Sequence, residues 1–296
     1  MKIGVSSYSF NHLIQTGRMT QFETIARAAE LGFDFIEFSE LIVPDGTDKL
    51  IYAQQLRDEC ERQGLFVGNY AIGADFLNGC GGDLEAEVNR ITNEVEVAVM
   101  LGTSLMRHDV TSGRRENCAA QRLSAAPAES FDTVLPVLAR GCRLVTEYAK
   151  TRGIRTMSEN HGYFAQDSER IEKLICAVNH PNYGALIDIG NFLCVDEQPA
   201  IATGRLAPYA FHLHVKDFHY KSGQEPDPGQ GWFPTRGRNR LRGAIIGHGI
   251  VPVRQCLQIM KQSNYKGYVS IEFEGLEDPL LGIQIGFDNL RAYLAD

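Results

Sequence analysis

The chain has 296 residues, of which 44% are hydrophobic and 22% are charged. This composition supplies enough apolar surface for a large core, and it excludes an intrinsically disordered chain. The excess of 37 acidic over 29 basic side chains opposes binding to a phosphate backbone, so we expect a small-molecule ligand and no nucleic-acid partner.

The start of the chain, MKIGVSSYSF, is too short an apolar stretch for a secretory signal. No segment approaches the roughly twenty apolar residues that a membrane-spanning helix needs. The seven cysteines are odd in number and lack the close pairs of a disulfide scaffold or a zinc site. We therefore expect a soluble, cytoplasmic protein with no membrane partner, and the sequence leaves open a homo-oligomer or a hetero-complex.

Short β-branched or apolar runs alternate with longer amphipathic runs, a pattern that predicts strands alternating with helices. Several of the helical runs end near a glycine, as C-terminal capping favours. The first half is predicted to contain strand 2–7, helix 19–32, strand 33–39, helix 51–64, strand 65–71, helix 83–102 and strand 104–110.

The second half repeats the same alternation. It is predicted to contain helix 129–153, strand 154–159, helix 167–179, strand 183–189, helix 197–207, strand 210–215, helix 251–263, strand 268–274 and helix 282–294. Eight such units predict an α/β fold, a single (β/α)8 TIM barrel domain over 1–296. An open doubly wound sheet would place a glycine-rich phosphate turn after its first strand, and residues 6–11 lack one.

Two connections are unusually long, 111–127 and the glycine-rich 218–250. Both follow predicted strands, so both should lie over the carboxyl end of the barrel, where long loops shape or cover a site. The composition of 218–250 is compatible with either an ordered lid or a mobile one.

Four consecutive predicted strands, the fifth to the eighth, end in Glu159, Asp188, His214 and Glu272. Neighbouring strand ends in a barrel lie about 5 Å apart, so these side chains can meet around one ion. Three carboxylates and an imidazole suit Mn²⁺ best, with Mg²⁺, Co²⁺ or Zn²⁺ as alternatives. We expect adjacent oxygens of a sugar to chelate one divalent cation. The cation would acidify the carbon-bound proton between them by stabilising an enediolate.

Glu159 and Glu272 are the natural catalytic pair, because inversion or carbonyl migration requires a base and an acid on either side of the substrate. The alternative for any one of these carboxylates is a helix cap or a salt bridge. Four metal-binding side chains on four successive strands favour the site over that alternative.

The motifs around these residues resemble the metal-ligand strands of the xylose isomerase-like barrel superfamily, the sugar phosphate isomerase and epimerase group. The likeness extends over essentially the whole chain, and the motifs are SENHG, LIDIGN, FHLHVKD and YVSIEFEG. It implies that His214 and not His212 is the ligand. It also implies that Glu37, in GFDFIEFSE, faces the pocket and contacts the substrate; the alternative is a surface loop glutamate.

Two positions depart from the ketose 3-epimerases of this superfamily, which carry a histidine and an arginine where this chain has Asn191 and Tyr220. The HVKD sequence is more similar to the inosose isomerase and dehydratase branch. The resemblance therefore implies a metal-dependent isomerase or epimerase acting on a sugar, an inosose or a keto-glycoside, with a lyase as the alternative. An endonuclease IV-like enzyme fits less well, because Glu37 and Asn69 stand where further histidine ligands would be needed. A noncatalytic barrel subunit should have lost a ligand, and all four are present.

Arg107 and His108 end the fourth predicted strand, and we expect both on the same face. His108 is then a candidate acid or base and Arg107 an anchor for an oxyanion. The alternative for His108 is a structural histidine bonded to a loop carbonyl.

Further polar residues are candidates for substrate binding. Lys216 should point to the same side as His214, two residues earlier, although a salt bridge to Asp217 is the simpler interpretation. His161 can line the pocket or support Glu159. The remaining candidates are Asn191 and His248, the latter a loop histidine that is more simply exposed.

Overall fold

A computed structural model describes residues 1–113 and 130–295. Within these residues, eight parallel strands close into a barrel in the order β1-β11-β7-β6-β5-β4-β3-β2, which confirms the predicted (β/α)8 architecture. The barrel strands are β1 (Lys2–Ser6), β2 (Phe35–Phe38), β3 (Phe66–Ile72), β4 (Leu105–His108), β5 (Arg155–Glu159), β6 (Tyr183–Asp188), β7 (Ala210–Val215) and β11 (Tyr268–Ile271).

Helices follow the barrel strands and pack around the outside. Their ends use the expected signals: Thr20 and Glu23 form a capping box, and Gly32 ends the same helix at a φ of 85°. None of the helices in the described ranges is both long and apolar enough to cross a membrane. They are α1 (Asn11–Gln15), α2 (Gln21–Leu31), α3 (Lys49–Arg62), α4 (Leu84–Leu101), α5 (Phe131–Thr151), α6 (Ser168–Val178), α7 (Pro199–Leu206), α8 (Val253–Gln262) and α9 (Pro279–Ala295).

Aromatic rings fill the amino-terminal end of the barrel interior. The ring of Phe35 lies 5.3 Å from that of Phe66 and 5.2 Å from that of Tyr268, measured between centroids. Gly4 leaves the room for this ring, because a Cβ atom at Gly4 would lie 2.2 Å from it. Since apolar rings occupy this end, the polar side chains that point inward collect at the carboxyl end.

The long connection after β7 is an ordered sheet. It contains β8 (Asp217–Lys221), β9 (Phe233–Pro234) and β10 (Arg240–Ala244), paired antiparallel in the order β8-β10-β9. Tyr163 donates from its hydroxyl to the Pro234 carbonyl at 2.9 Å, and Thr235 donates to Asp196 at 2.7 Å. The sheet is thereby docked on the loops that follow β5 and β6. The other long connection, 111–127, lies outside the described residues from 114 onward.

Asp217 anchors both ends of this sheet. Its Oδ1 accepts the backbone N–H groups of Phe218 and Val251 at 2.8 and 3.0 Å, and its Oδ2 accepts those of Gly247 and Gly249, both at 2.9 Å. Burial raises the pKa of Asp217, although the four N–H groups oppose the rise. One buried carboxylate therefore joins the start of β8 to the segment that leads into α8.

We expect Asp217→Asn to lower the free energy of unfolding by about 2–4 kcal/mol, because an amide nitrogen cannot accept the N–H groups that the lost oxygen held. Urea denaturation measures the change. The matched control is Asp227→Asn in the same connection, where an exposed carboxylate accepts the Gly229 N–H at 2.9 Å, and a loss within about 0.5 kcal/mol is expected there. Equal losses in the two variants would contradict the anchoring role.

Candidate metal centre and active site

The structure brings the four predicted ligand side chains together at the carboxyl end of the barrel. Glu159, Asp188, His214 and Glu272 each offer one ligand atom, and these atoms all lie within 4.8 Å of one another. Nδ1 of His214 is 3.9 Å from Glu159 Oε1, 4.0 Å from Asp188 Oδ2 and 3.8 Å from Glu272 Oε2. The four residues stand at the carboxyl ends of four neighbouring strands, with Asp188 paired directly with His214.

The chemistry of this cluster fits a divalent cation. Among the described residues, Asp188 Oδ2 and His214 Nδ1 are buried without a hydrogen-bond partner. Burial raises the pKa of Asp188 to about 6, and the carboxylates of Glu159 and Glu272 act in the same direction against Lys216. Three oxygen donors and one nitrogen with unpaired buried atoms match the ligand preferences of Mg²⁺, Mn²⁺ and Co²⁺ alike.

The backbone around Asp188 orients its carboxylate. Oδ1 accepts the N–H groups of Gly190 and Asn191 at 2.8 and 3.0 Å, which leaves Oδ2 to face the cluster. Asn160, the residue after Glu159, donates to the Asp188 carbonyl and accepts its N–H, both at 2.8 Å. These bonds tie the ends of β5 and β6 together beside the site.

Glu37 is fully buried beneath the cluster, which excludes the alternative of a surface loop glutamate. It lines neither cavity, and its predicted contact with substrate stays a prediction. Its Oε1 is 2.7 Å from His214 Nε2 as an ion pair, but the ring N–H is not aligned to donate a hydrogen bond to it. Burial alone would raise the pKa of Glu37, but His214 and His212 lower it well below its usual range. The carboxylates of Glu37 and Glu272 raise the pKa of His214 well above its usual value against the effect of burial.

Glu159 has both oxygens engaged by neighbouring side chains. Arg107 donates from Nε to Oε2 at 2.7 Å, and its terminal nitrogen contacts the same oxygen. Asn191 donates from Nδ2 to Oε1 at 3.0 Å. Arg107 and Asn191 were predicted to bind substrate, and the structure places both beside a candidate metal ligand.

Lys216 points into the site on the same side as His214. Its Nζ is 2.6 Å from Glu272 Oε2, 3.5 Å from Glu274 Oε2 and 3.6 Å from Asp188 Oδ2. Burial would lower the pKa of Lys216, but these carboxylates raise it well above its usual value. The expected salt bridge to Asp217 was wrong, because adjacent residues point in opposite directions and Asp217 binds backbone N–H groups instead.

Two adjoining cavities, of about 480 and 720 Å³, lie at this end of the barrel, and the smaller one opens onto the cluster. The smaller is lined by Arg107, Glu159, His214 and Glu272, and Lys216 lines both. Several further residues line the smaller cavity but were not predicted from the sequence. Some of them stand two positions from a predicted site residue and so share its face. The missed residues are Tyr8, Glu40, Asp109 and Glu274.

Asp109 joins Arg107 to His161. Its Oδ1 lies 3.2 Å from the Arg107 guanidinium and 3.0 Å from Nδ1 of His161. Burial would raise the pKa of Asp109, but Arg107 and His161 lower it to about 2. Asp109 in turn raises the pKa of His161, which lines both cavities and keeps 48% of its side chain exposed. His161 therefore lines the site while its Nδ1 contacts the Asp109 carboxylate.

Two predicted site histidines lie elsewhere. His108 was expected on the face of Arg107, but adjacent strand residues alternate, so its buried ring points outward and packs on Phe76 and Tyr183. Its Nδ1 is 2.8 Å from the Asp109 carbonyl oxygen. His108 therefore matches the alternative interpretation, a structural histidine bonded to a loop carbonyl. His248, a candidate for substrate binding that is more simply exposed, is exposed on a turn and lines neither cavity.

The closed parallel barrel, with a candidate cation site at its carboxyl end, places the chain in the class of (β/α)8 barrel proteins. Residues 25–293 match the model of the xylose isomerase-like TIM barrel family. The chain therefore belongs to the xylose isomerase-like TIM barrel family.

The chain is similar in sequence to a dehydratase and in fold to an epimerase. An inosose dehydratase of Clostridium perfringens (strain 13 / Type A) is 24% identical over 145 residues, 49% of this chain and 48% of that protein, so the match spans about half of its length. A structure of L-ribulose 3-epimerase superposes with a TM-score of 0.72 at 16% identity, covering 99% of this chain and 94% of that one. A xylose isomerase-like TIM barrel protein from Mycobacterium smegmatis, in complex with magnesium, has a TM-score of 0.68 at 17% identity, covering 93% and 88%. These two structural likenesses show the fold.

The outward position of His108 predicts a pH dependence of stability. Burial lowers its pKa from 6.5 to about 4. The unfolded chain therefore binds the extra proton more readily, and stability present above about pH 6.5 is lost as the pH falls towards about 4. Between pH 7 and pH 4.5 we expect the free energy of unfolding of wild type to fall by about 2–3 kcal/mol more than that of His108→Asn. Urea denaturation at the two pH values measures both changes. Parallel losses in the two proteins would contradict this assignment.

Proposed function

We propose that the chain is a divalent-metal-dependent isomerase or epimerase that removes a proton from the carbon beside a carbonyl of a sugar, an inosose or a keto-glycoside. The observation that carries the proposal is the cluster of four ligand atoms within 4.8 Å, three of whose residues line the smaller of the two adjoining cavities. The relatives support a sugar-like substrate, because both the inosose dehydratase and the L-ribulose 3-epimerase are named for such compounds.

Glu159, Asp188, His214 and Glu272 would hold the cation. Once bound there, a divalent cation polarises a carbonyl oxygen and makes the neighbouring carbon-bound proton more acidic. Either manganese or magnesium suits the donor set, and we propose manganese as the first metal to test.

Glu272 is the residue that we assign to proton abstraction. Its side chain is 12% exposed, whereas that of Glu159 is 2% exposed, so Glu272 is the more accessible of the two from the cavity. Its Oε2 faces Lys216 and the cluster, and the other carboxylate oxygen can accept the proton. Burial would raise the pKa of Glu272, but Lys216 and His214 lower it, so the base is ionised at neutral pH.

Glu159 is the second proton carrier in this proposal. It stands on β5, and Glu272 follows β11, with β6 and β7 between them in the barrel. The two glutamates therefore approach a substrate at the cluster from different sides, as inversion at carbon requires. Arg107 and Asn191 hold the Glu159 carboxylate in position, and Lys216 is close enough to the cluster to donate to a substrate oxygen.

A lyase is the second candidate, and the pair formed by His161 and Asp109 favours it. Loss of a hydroxyl group requires a proton donor for the leaving oxygen, and a histidine whose pKa is raised by an aspartate can supply that proton. The curated relative is itself a dehydratase. Both reactions begin with the same proton abstraction and differ in whether the proton returns or a hydroxyl leaves.

The shared first step is tested by exchange of the substrate proton with D₂O, followed by NMR over a panel of keto-sugars and inososes. We expect exchange with Mn²⁺ and none after chelation. Glu272→Gln should lower the exchange rate by at least about 10³-fold, because an amide neither accepts the proton nor ligates as a carboxylate does. Glu277→Gln, which alters a glutamate paired with Arg242 five residues further on, is the control. Exchange at the wild-type rate in Glu272→Gln would remove this residue from the mechanism.

The mass of the product distinguishes an isomerase from a lyase. An isomerase conserves mass, whereas a dehydratase product is lighter by one water. If His161 protonates a leaving group, His161→Gln should lower dehydration by about 10²–10⁴-fold while exchange with D₂O continues. A product of unchanged mass from wild type would exclude the lyase, and dehydration at an undiminished rate in His161→Gln would exclude this histidine as the acid.

A further inference from the structure

Glu37 is a buried carboxylate inside the barrel to which the proposed reaction assigns no contact with substrate. It stands on β2 and meets side chains from β7 and β11, which are not neighbours of β2 in the barrel, so these contacts cross the interior. Its Oε2 is 2.9 Å from His212 Nε2 and accepts from the Ser270 hydroxyl at 3.0 Å. Its Oε1 is 2.7 Å from His214 Nε2.

The two ring nitrogens of His214 therefore face different surroundings. Nε2 faces Glu37, and Nδ1 faces the carboxylates of Glu159, Asp188 and Glu272 at 3.8–4.0 Å. A neutral imidazole carries one N–H, and a carboxylate beside Nε2 favours the tautomer with the proton there. The lone pair is then on Nδ1, the nitrogen that faces the candidate ligands.

The surroundings of Glu37 hold it in this orientation. His212 and Ser270 occupy Oε2, and Asn69 lies 3.4 Å from the same oxygen, so Oε1 is the oxygen that remains for His214. All of these groups are fully buried. A metal-binding histidine commonly donates its second nitrogen to a carboxylate, which sets the ring orientation and increases its basicity.

We infer that Glu37 is a positioning residue that selects the tautomer of His214 in which Nδ1 binds the cation. This inference rests on the proposed metal centre, but it concerns metal affinity and not the reaction. It assigns Glu37 a role different from the substrate contact that the sequence predicts.

The test is a calorimetric titration of the full chain with Mn²⁺. Glu37→Gln keeps the size of the side chain but allows an amide N–H to face Nε2, so we expect the affinity to fall about 10–100-fold. The matched control is Glu94→Gln, the same change at a largely buried glutamate that accepts from Tyr70 and Lys49 away from the site. Its affinity should equal that of wild type.

The second measurement reads the tautomer directly. In ¹⁵N spectra of the Mg²⁺-loaded protein, identified against His214→Gln, the proton of wild-type His214 should be on Nε2. A proton on Nδ1, or equal Mn²⁺ affinity in Glu37→Gln and wild type, would overturn the inference. If wild type itself binds no Mn²⁺, the proposed function fails instead. Should Glu37→Gln not fold, Ser270→Ala removes one support of Glu37, and an undiminished affinity there would also count against the inference.

Discussion

Repulsion among three carboxylates, two buried and one partly buried, is the constraint around which this site is arranged. Glu159, Asp188 and Glu272 surround one imidazole in a space that excludes most water, where like charges interact strongly. Arg107 and Lys216 offset part of that charge from the edges of the cluster. The unpaired atoms at its centre would be satisfied by a divalent cation in the proposed metal centre.

The barrel accommodates this cluster because its interior has an apolar end and a polar end. Aromatic rings around Phe35 occupy the amino-terminal end, and the polar side chains collect at the other end. The level between them is formed by Glu37, His212 and Ser270, which connect β2, β7 and β11 across the interior. A site built on strand ends and supported from below is held more rigidly than one built on loops.

Lys216 and Asp217 show how the site and the added sheet depend on one short segment. Adjacent residues in an extended backbone point to opposite sides, so Lys216 reaches the cluster while Asp217 accepts four backbone N–H groups. The attachment of the sheet therefore also positions the lysine. Phe233 on β9 lines the larger cavity, so the same sheet contributes a wall to the proposed substrate pocket.

The sequence by itself determined the barrel and the four candidate ligands. Alternation of strand and helix is a local pattern, and the parallel topology then carries strand ends to one face whatever their spacing along the chain. Only the tertiary structure decided that His108 points outward, that Glu37 lies beneath His214, and that 218–250 contains a sheet. The direction of a side chain at a strand end depends on the register with its neighbours, and contacts across the barrel join residues that no local pattern relates.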